Sequence, residues 1–239
     1  MIRLDKYLCD MKIGTRSEIK KILKAGLVTV NGEVIKAPEV KIDETNDIVN
    51  FKGKKVNYEK YGYYLFHKPS GCVTANRDNL HKTVMDYFPK EMQKHYSAVG
   101  RLDLDTEGLL LITNDGELNH HLISPAHHIP KTYLAYLDRR VPDEAVELFQ
   151  NGIDIGDEKP TLPAKLQILP PFTEDNREIY PADLTIEEGR FHQVKRMFHA
   201  VGCEVIYLKR ISMGSLSLDG LKKGEYRSLT PEEVSRLKK

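Results

Sequence analysis

The sequence of 239 residues predicts a protein of the α+β class, with a small N-terminal module and a larger C-terminal part. Two observations lead to this prediction. Apolar residues at helical spacing, followed by a strand-turn-strand pattern, occupy the first 35 residues. Farther along, an apolar run from Leu104 to Ile112 and an alternating segment over residues 131–137 indicate buried and half-buried strands.

Two helices are predicted at the start of the chain, the first from Arg3 to about Lys12. Its apolar residues recur at i, i+3, i+4 and i+7: Leu4, Tyr7, Leu8 and Met11. Thr15 and Glu18 fit a capping box, in which each side chain binds a backbone N–H near the start of the second helix. Gly26 stands where a C-terminal cap belongs.

A hairpin and a basic helix face complete the module. Asn31-Gly32 separates two short apolar runs and predicts a hairpin with a type I′ turn. The side of the second helix opposite its apolar stripe carries Arg16, Lys20, Lys21 and Lys24. Residues 1–41 hold nine Lys or Arg against five Asp or Glu, although the whole chain has a net charge of only +1. This face suits phosphate contacts, and the competing interpretation is a merely solvated surface.

Composition excludes several classes of protein. No apolar run approaches the length of a membrane span and the N-terminus has no signal-peptide core, so no membrane partner and a cytoplasmic location are expected. The three cysteines, Cys9, Cys72 and Cys203, are far apart and are expected to be reduced and structural. The nine histidines match no zinc-site spacing, and no metal is expected.

Three domain ranges are predicted: a module over residues 1–50, a linker over 51–61 and a main domain over 62–239. The linker is inferred because this segment is rich in lysine and short of large aliphatic residues. Residues 154–177 are rich in proline and charge and are expected to form a loop or an insertion.

Charged residues crowd the entrance of the apolar run that begins near Leu104. Arg101 is followed by Asp103, Asp105 and Glu107, and Gly100 and Gly108 bracket the acidic cluster. In one interpretation Arg101 pairs with a carboxylate in a structural turn. In the other, one carboxylate is a nucleophile or a base held in a cleft.

A second motif covers residues 187–198 and ends in a predicted helix. Its apolar face comprises Val194, Met197, Phe198 and Val201, and its polar face comprises His192, Lys195, Arg196 and His199. Such a stripe is often only solvated, but this density of donors suits phosphate or carboxylate contacts.

The first motif, Gly100-Arg101-Leu102-Asp103 followed by Thr106, Gly108, Leu109 and Leu110, resembles the signature of RNA pseudouridine synthases. Lys68-Pro69-Ser70-Gly71, Lys131-Thr132-Tyr133 and His192-Gln193-Val194-Lys195 resemble other parts of that family in the same order. Residues 2–48 resemble the S4 RNA-binding module, with Arg3-Leu4-Asp5-Lys6 at the start and Val30-Asn31-Gly32 at the turn. The resemblance implies a catalytic domain with a central, mainly antiparallel sheet and an active cleft across it.

The resemblance also implies the roles of single residues. Asp103 would be the essential catalytic residue, Tyr133 would lie against the target uracil, and Lys195 would pair with the catalytic aspartate. Asp105 and Glu107 keep a structural interpretation. The expected RNA contacts are Arg101, Arg190, His192, Gln193 and Arg196 in the main domain, and Arg16, Lys20, Lys21 and Lys24 in the S4-like module.

The implied reaction converts a uridine into pseudouridine without a cofactor, because atoms are neither gained nor lost. The implied partner is ribosomal RNA, bound by a monomer. Lys131-Thr132-Tyr133 and the segment 192–198 most resemble the branch that modifies a single uridine of small-subunit (16S) rRNA, which implies uridine 516. Two alternatives remain: a large-subunit (23S) rRNA synthase, and a non-catalytic RNA-binding or ribosome-assembly protein.

Overall fold

The computed structural model of the protein describes residues 1–11, 13–218 and 220–238. The chain divides into two compact units, Met1–Gly62 and Tyr63–Lys239. Each unit combines helices with a mainly antiparallel sheet, and the predicted α+β class is confirmed. Within the described ranges, no helix has both the length and the apolar character that crossing a bilayer requires.

The helices are short and are separated by strands throughout the chain. They are α1 (Leu4–Asp10), α2 (Arg16–Lys24), α3 (Lys90–Gln93), α4 (Gly116–Ile123), α5 (Ala145–Asn151), α6 (Gln193–Ala200) and α7 (Pro231–Leu237), with 3-10 turns at Val84–Tyr87 and Pro125–His127. The strands are β1 (Ile2–Arg3), β2 (Val28–Val30), β3 (Glu33–Val34), β4 (Lys41–Ile42), β5 (Val49–Phe51), β6 (Lys54–Val56), β7 (Tyr63–Lys68), β8 (Ser97–Ala98), β9 (Glu107–Thr113), β10 (Lys131–Leu137), β11 (Lys165–Ile168), β12 (Phe172–Glu174), β13 (Arg177–Ile186), β14 (Val205–Met213), β15 (Leu216–Ser217) and β16 (Tyr226–Ser228).

In the N-terminal unit, α1 and α2 share an apolar core with a sheet of strand order β3-β2-β5-β6. The predicted capping box is confirmed: the Thr15 N–H donates to Glu18 Oε2 at 2.7 Å, and the Glu18 N–H donates to Thr15 Oγ1 at 3.4 Å. Helix α1 begins one residue later than predicted because β1 pairs with β4. Its predicted end at Lys12 lies outside the described residues.

The hairpin between β2 and β3 forms where it was predicted. Asn31 has φ 51° and Gly32 has φ 90°, so both central residues are in the left-handed region that a type I′ turn requires. The Asn31 side chain donates to Asp47 at 2.8 Å and accepts from the Ile48 N–H at 2.9 Å. These bonds tie the turn to the segment that leads into β5.

The predicted linker is wrong over part of its length. Residues 54–56 form β6, which pairs with β5, and the Tyr7 hydroxyl donates to the Val56 carbonyl at 2.6 Å. Tyr58 stacks on Tyr7 with ring centroids 4.8 Å apart, and its hydroxyl donates to Asp10. Lysines are frequent in this segment because β6 is an edge strand, where charged side chains prevent pairing with another chain.

The C-terminal unit is organised around one ten-stranded sheet with the main order β11-β13-β10-β14-β9-β7-β16. All of its pairings are antiparallel except that between β9 and β14. Every residue of β9 is buried. The strand starts at Glu107 rather than at Leu104, whose side chain is exposed, so the predicted strand was too long at its N-terminal end.

Gly108 is required where β9 meets β14. Its φ is +111°, and a Cβ there would lie 2.2 Å from the Arg210 carbonyl oxygen and 2.6 Å from the Arg210 nitrogen. Only glycine therefore allows this close pairing. The contact places Arg210 directly beside the end of the acidic loop.

The prediction of a loop over residues 154–177 is also wrong in part, because β11 and β12 fall within it and pair with β13. The predicted helix of the second motif is confirmed as α6. Its residues Val194, Met197 and Phe198 are buried in one core with β10, β13 and α5. The residue before α6, His192, has φ 49°, so the chain turns sharply into the helix.

Candidate active site

A cleft of about 680 Å³ opens in the C-terminal unit. Its walls come from the loop before β9, from the start of β10, from β14 and from the segment that enters α6. Asp103, Tyr133, His192 and Arg210 all line it. The two sequence motifs and the strand tyrosine, which are distant along the chain, therefore meet at one place.

The loop that carries Asp103 is held from below by a buried lysine. The Lys68 ammonium donates to the backbone carbonyls of Asp103 at 2.9 Å, Thr106 at 2.8 Å and Leu104 at 3.3 Å. Burial lowers the pKa of Lys68. In the sequence, Lys68 stands out only as part of a common Lys-Pro-x-Gly turn. The role of Lys68 in supporting the loop that carries Asp103 was therefore missed.

A second pair of hydrogen bonds fixes the same loop at Leu102. The Thr74 hydroxyl donates to the Leu102 carbonyl at 2.8 Å, and the Leu102 N–H donates back to Thr74 Oγ1 at 3.1 Å. Together with Lys68, these bonds leave the backbone around Asp103 little freedom. The carboxylate is thereby preorganised within the cleft.

Lys195 lies closer to Asp105 than to Asp103. Its Nζ is 2.7 Å from each Asp105 carboxylate oxygen and 3.8 Å from Asp103 Oδ2. The side chain of Asp105 is 68% exposed, against 31% for Asp103, and only Asp103 lines the cleft. Although burial opposes the shift, the hydrogen bond from Lys195 lowers the pKa of Asp105.

The expected pairing of Lys195 with Asp103 is thus the longer of two contacts. Asp105 was expected to be structural, and it positions the ammonium between the two carboxylates. Glu107 has the structural surroundings expected for it: it is buried, and it accepts bonds from Tyr207 at 2.7 Å and Lys223 at 3.0 Å. Arg101 is exposed, lines the cleft, and forms no ion pair with any carboxylate of the described residues. The interpretation in which Arg101 pairs with a carboxylate in a structural turn is therefore wrong for the described residues.

His192 and Phe191 form the rim of the cleft beside Asp103. The His192 Nε2 atom is 3.6 Å from Asp103 Oδ1, and the two rings stack with centroids 3.8 Å apart. Phe191 is 72% exposed. An exposed aromatic surface at the mouth of a cleft suits stacking of a nucleic-acid base.

Tyr133 lies on β10 with its ring on the cleft side, and the residue is 8% exposed. Its hydroxyl oxygen is 3.5 Å from Nη1 of Arg210, which is buried in β14. Sequence reasoning missed Arg210. One signal was available. Arg210 follows Leu208 by two residues, so in a strand both side chains lie on the same face, where an apolar residue is normal.

Three residues expected to contact RNA form hydrogen bonds within the protein. The Arg190 guanidinium donates to Glu188 at 2.9 Å and to the Pro160 carbonyl at 2.7 Å. Gln193 is buried, and its amide donates to Glu188 at 2.8 Å. Arg196 binds the Ile155 carbonyl and Asp157, and the hydrogen bond from Arg196 lowers the pKa of Asp157. Arg190 and Arg196 thereby tie the segment 155–160 to the start of α6.

The basic residues of α2 are different. The side chains of Arg16, Lys20, Lys21 and Lys24 are exposed, and within the described ranges they form no hydrogen bond or ion pair. The predicted basic face of the N-terminal unit is therefore present. In the same described part of the chain, no group of three or more His, Cys, Asp or Glu side chains is placed to hold a metal ion.

The chain was compared with known proteins. Residues 62–200 match the family model of RNA pseudouridylate synthases, and residues 2–49 match the S4 domain. An uncharacterized RNA pseudouridine synthase of Bacillus subtilis is 44% identical over 99% of this chain and 98% of its own. The ribosomal small subunit pseudouridine synthase A of Haemophilus influenzae is 39% identical over the full length of both chains. The ribosomal large subunit pseudouridine synthase B of Bacillus subtilis is also 39% identical, over 100% of this chain and 96% of its own.

A crystal structure of a pseudouridylate synthase is 39% identical in sequence and superimposes with a TM-score of 0.68, covering 99% of this chain and 100% of that chain. The chain belongs to the RNA pseudouridine synthase family and carries an N-terminal S4 domain. It is accordingly an isomerase that acts on RNA, and the resemblance identified in the sequence is confirmed.

Proposed function

We propose that the protein isomerises a single uridine of small-subunit rRNA, with Asp103 as the catalytic carboxylate. The observation that carries this proposal is the position of Asp103. Its side chain lines the cleft with Tyr133, and its backbone is held by the buried Lys68. A carboxylate fixed beside an aromatic ring is what a reaction at a nucleoside needs.

The reaction breaks the C1′–N1 bond, turns the uracil, and joins C1′ to C5. The proton on C5 leaves and N1 gains a proton, so that atoms and electrons balance without an oxidant or a reductant. Asp103 can attack the sugar, attack the base or remove the C2′ proton, and each role requires its ionised form. The Lys195 ammonium, 3.8 Å from Asp103 Oδ2, places a positive charge beside this carboxylate.

The target nucleotide must leave its stack to reach Asp103, at a cost of a few kcal/mol. Stacking of the uracil on Tyr133 offsets about 1–3 kcal/mol of that cost. Phe191 and His192 at the rim stack on a neighbouring base, and Arg101 contacts a phosphate. The exposed face of α2 adds phosphate contacts that do not depend on sequence, which makes RNA binding sensitive to salt.

The proposal also specifies which rRNA is modified, that of the small or of the large subunit. The relatives named for the small subunit and for the large subunit have nearly equal identity to this chain. The motifs at Lys131–Tyr133 and at residues 192–198 favour the small-subunit branch and uridine 516. An assembling ribosomal particle in the cytoplasm is the expected substrate, because the S4 domain can bind RNA away from the target.

Chemical mapping of pseudouridine in 16S and 23S rRNA tests the proposal directly. Purified protein and Asp103→Asn are each incubated with both rRNAs, free and in assembly intermediates. A single new 16S site made only by the unmutated protein is expected. A 23S site would replace the proposed substrate by the large-subunit alternative, and product from Asp103→Asn would remove Asp103 from its role. Absence of any site on every RNA form would favour a non-catalytic RNA-binding protein.

A further inference from the structure

An arginine in the wall of the cleft has an unused donor. Arg210 is 2% exposed, its Nε donates to the Leu109 carbonyl at 2.8 Å, and its Nη1 lies 3.5 Å from the Tyr133 hydroxyl. Its Nη2 is buried without a hydrogen-bond partner. The guanidinium forms no ion pair with any carboxylate of residues 1–11, 13–218 and 220–238. A buried cation is normally paired, so this one is a candidate for binding an anion that the protein itself does not supply.

Lys131 is a second cation in the same wall. Its Nζ donates to the Ile129 carbonyl at 2.9 Å, which uses one of three N–H donors. Burial lowers the pKa of Lys131, the charge of Arg210 lowers it further, and Glu187 acts in the opposite direction. Both cations line the cleft with Asp103 and Tyr133.

The nearby carboxylates already have other partners. Asp103 faces His192 and Lys195, and Glu187 lies 4.0 Å from His128. Glu107 is bound by Tyr207 and Lys223. Among the described residues, neither Lys131 nor Arg210 forms an ion pair with a carboxylate, so the cleft wall offers positive charge to a bound molecule.

We propose that Lys131 and Arg210 form an anion subsite for the uracil ring once its bond to the sugar has broken. This inference rests on the proposed function. When the C1′–N1 bond breaks, its electron pair stays with the base and spreads over N1, O2 and O4. The pair then serves to form the C1′–C5 bond, after which C5 releases a proton and N1 takes one up.

The two cations favour the detached base over the intact nucleotide. The uracil of a uridine is neutral, and it gains negative charge only after bond cleavage. Cations fixed in a cleft before the reaction therefore stabilise the later state more than the earlier one. The inference also favours routes in which Asp103 acts at the sugar, because attack on the base ring would not release a free uracil anion.

The first test measures the single-turnover rate of pseudouridine formation, with enzyme in excess over rRNA. Arg210→Gln is expected to slow this rate about 100-fold, while the affinity for the same RNA changes by less than about threefold. Arg210→Lys, which keeps a cation, is expected to recover part of the rate.

Lys131→Met is the second variant, and it keeps the test decisive if Arg210→Gln unfolds. Lys209→Gln, one residue away on β14 and outside the cleft lining, is the matched control with an unchanged rate.

The second test uses small pyrimidines as inhibitors. 5-Nitrouracil, which is anionic at neutral pH, is expected to inhibit at least about tenfold more strongly than neutral uracil, and Arg210→Gln is expected to abolish that preference. Equal inhibition by the two pyrimidines, or competition by inorganic phosphate that depends on Arg210, would overturn the inference. A full single-turnover rate in Arg210→Gln and Lys131→Met would overturn it while leaving the proposed function intact. Failure of the unmutated protein to modify any rRNA would instead remove the proposed function, and Arg210-dependent binding of 5-nitrouracil would still support the subsite.

Discussion

The α2 face and the start of α6 are both dense in basic side chains, yet the two regions use them in opposite ways. On α2, four basic residues are exposed, and within the described ranges they have no internal partner. At the start of α6, Arg190 and Arg196 are bonded to backbone carbonyls and carboxylates of the segment 155–160. In the sequence, both regions show the same high density of basic residues. They differ because the fold brings the carbonyls of the segment 155–160 against the start of α6.

The largest expected effect separates chemistry from RNA binding. Asp103→Asn should lower the rate of pseudouridine formation at least about 10⁴-fold, because it removes the reacting carboxylate. Asp105→Asn should cost far less, about tenfold, because Asp105 acts only through Lys195. Single-turnover assays measure both, and gel-shift titration should show that neither variant loses RNA affinity. Equal loss of rate in the two variants would contradict the assignment.

The second effect sharpens the contrast between an internal cation and one at the surface. The ammonium of Lys68 binds four backbone carbonyls, two of which also accept a backbone N–H. Lys68→Met removes this buried donor and should lower the free energy of unfolding by about 3 kcal/mol. Lys195→Met should lower it by less than about 1 kcal/mol, because its partner Asp105 is largely exposed. Urea denaturation of both variants compares them directly. A smaller loss for Lys68→Met than for Lys195→Met would show that the loop does not depend on Lys68.

The third effect tests the exposed region. Changing Lys20, Lys21 and Lys24 together to Gln should weaken RNA binding about tenfold at low salt and reduce the slope of log affinity against log salt by about 2. A triple variant of Lys52, Lys54 and Lys55, which removes the same charge elsewhere in the N-terminal unit, is the matched control. Fluorescence titration at several salt concentrations measures the slopes. Equal effects of the two triple variants would mean that only net charge matters, and not the α2 face.

The smallest effect concerns an ion pair outside both regions. The bidentate contact from Arg227 lowers the pKa of Glu233 to about 2 from an ordinary value of 4.5. Because the folded-state pKa is depressed, the stabilisation is complete above about pH 4.5 and is lost as the pH falls toward 2. Glu233→Gln should therefore lose about 1 kcal/mol at neutral pH and respond less to acid in that window. Glu232→Gln, at an exposed neighbouring position, should behave like the unmutated protein in acid denaturation.

Much of the fold follows from local signals in the sequence. The capping box at Thr15, the turn at Asn31-Gly32 and the helical spacing after Gln193 each depend on residues close together in the chain, and all three were predicted correctly. Strands β6, β11 and β12 were missed. Most of their residues are polar or exposed, with Leu166 a buried exception, so they lack the apolar alternation of a strand, and pairing with a neighbouring strand is what makes them strands.

The candidate site also contains residues that local motifs predicted and residues that only long-range contacts reveal. The signature residues predicted which side chains belong to the motifs, and the structure brings Asp103, Tyr133 and His192 to one cleft. The roles of Lys68 and Arg210 were not predictable, because each depends on contacts with residues more than 30 positions away. The preference of Lys195 for Asp105 was missed for the same reason: spacing in the sequence does not determine which of two nearby carboxylates an ammonium will approach.

The ammonium of Lys68, surrounded by four carbonyl oxygens at 2.8–3.3 Å, has the kind of oxygen shell that elsewhere accommodates a potassium ion. Here the cation is the side chain of a residue in β7, so it is always present at the loop. The conformation of the Asp103 loop then requires no ion from the medium and should be the same in sodium and in potassium buffers. The same shell offers a route to chemical rescue, in which added ammonium could occupy the place vacated in a Lys68→Ala protein.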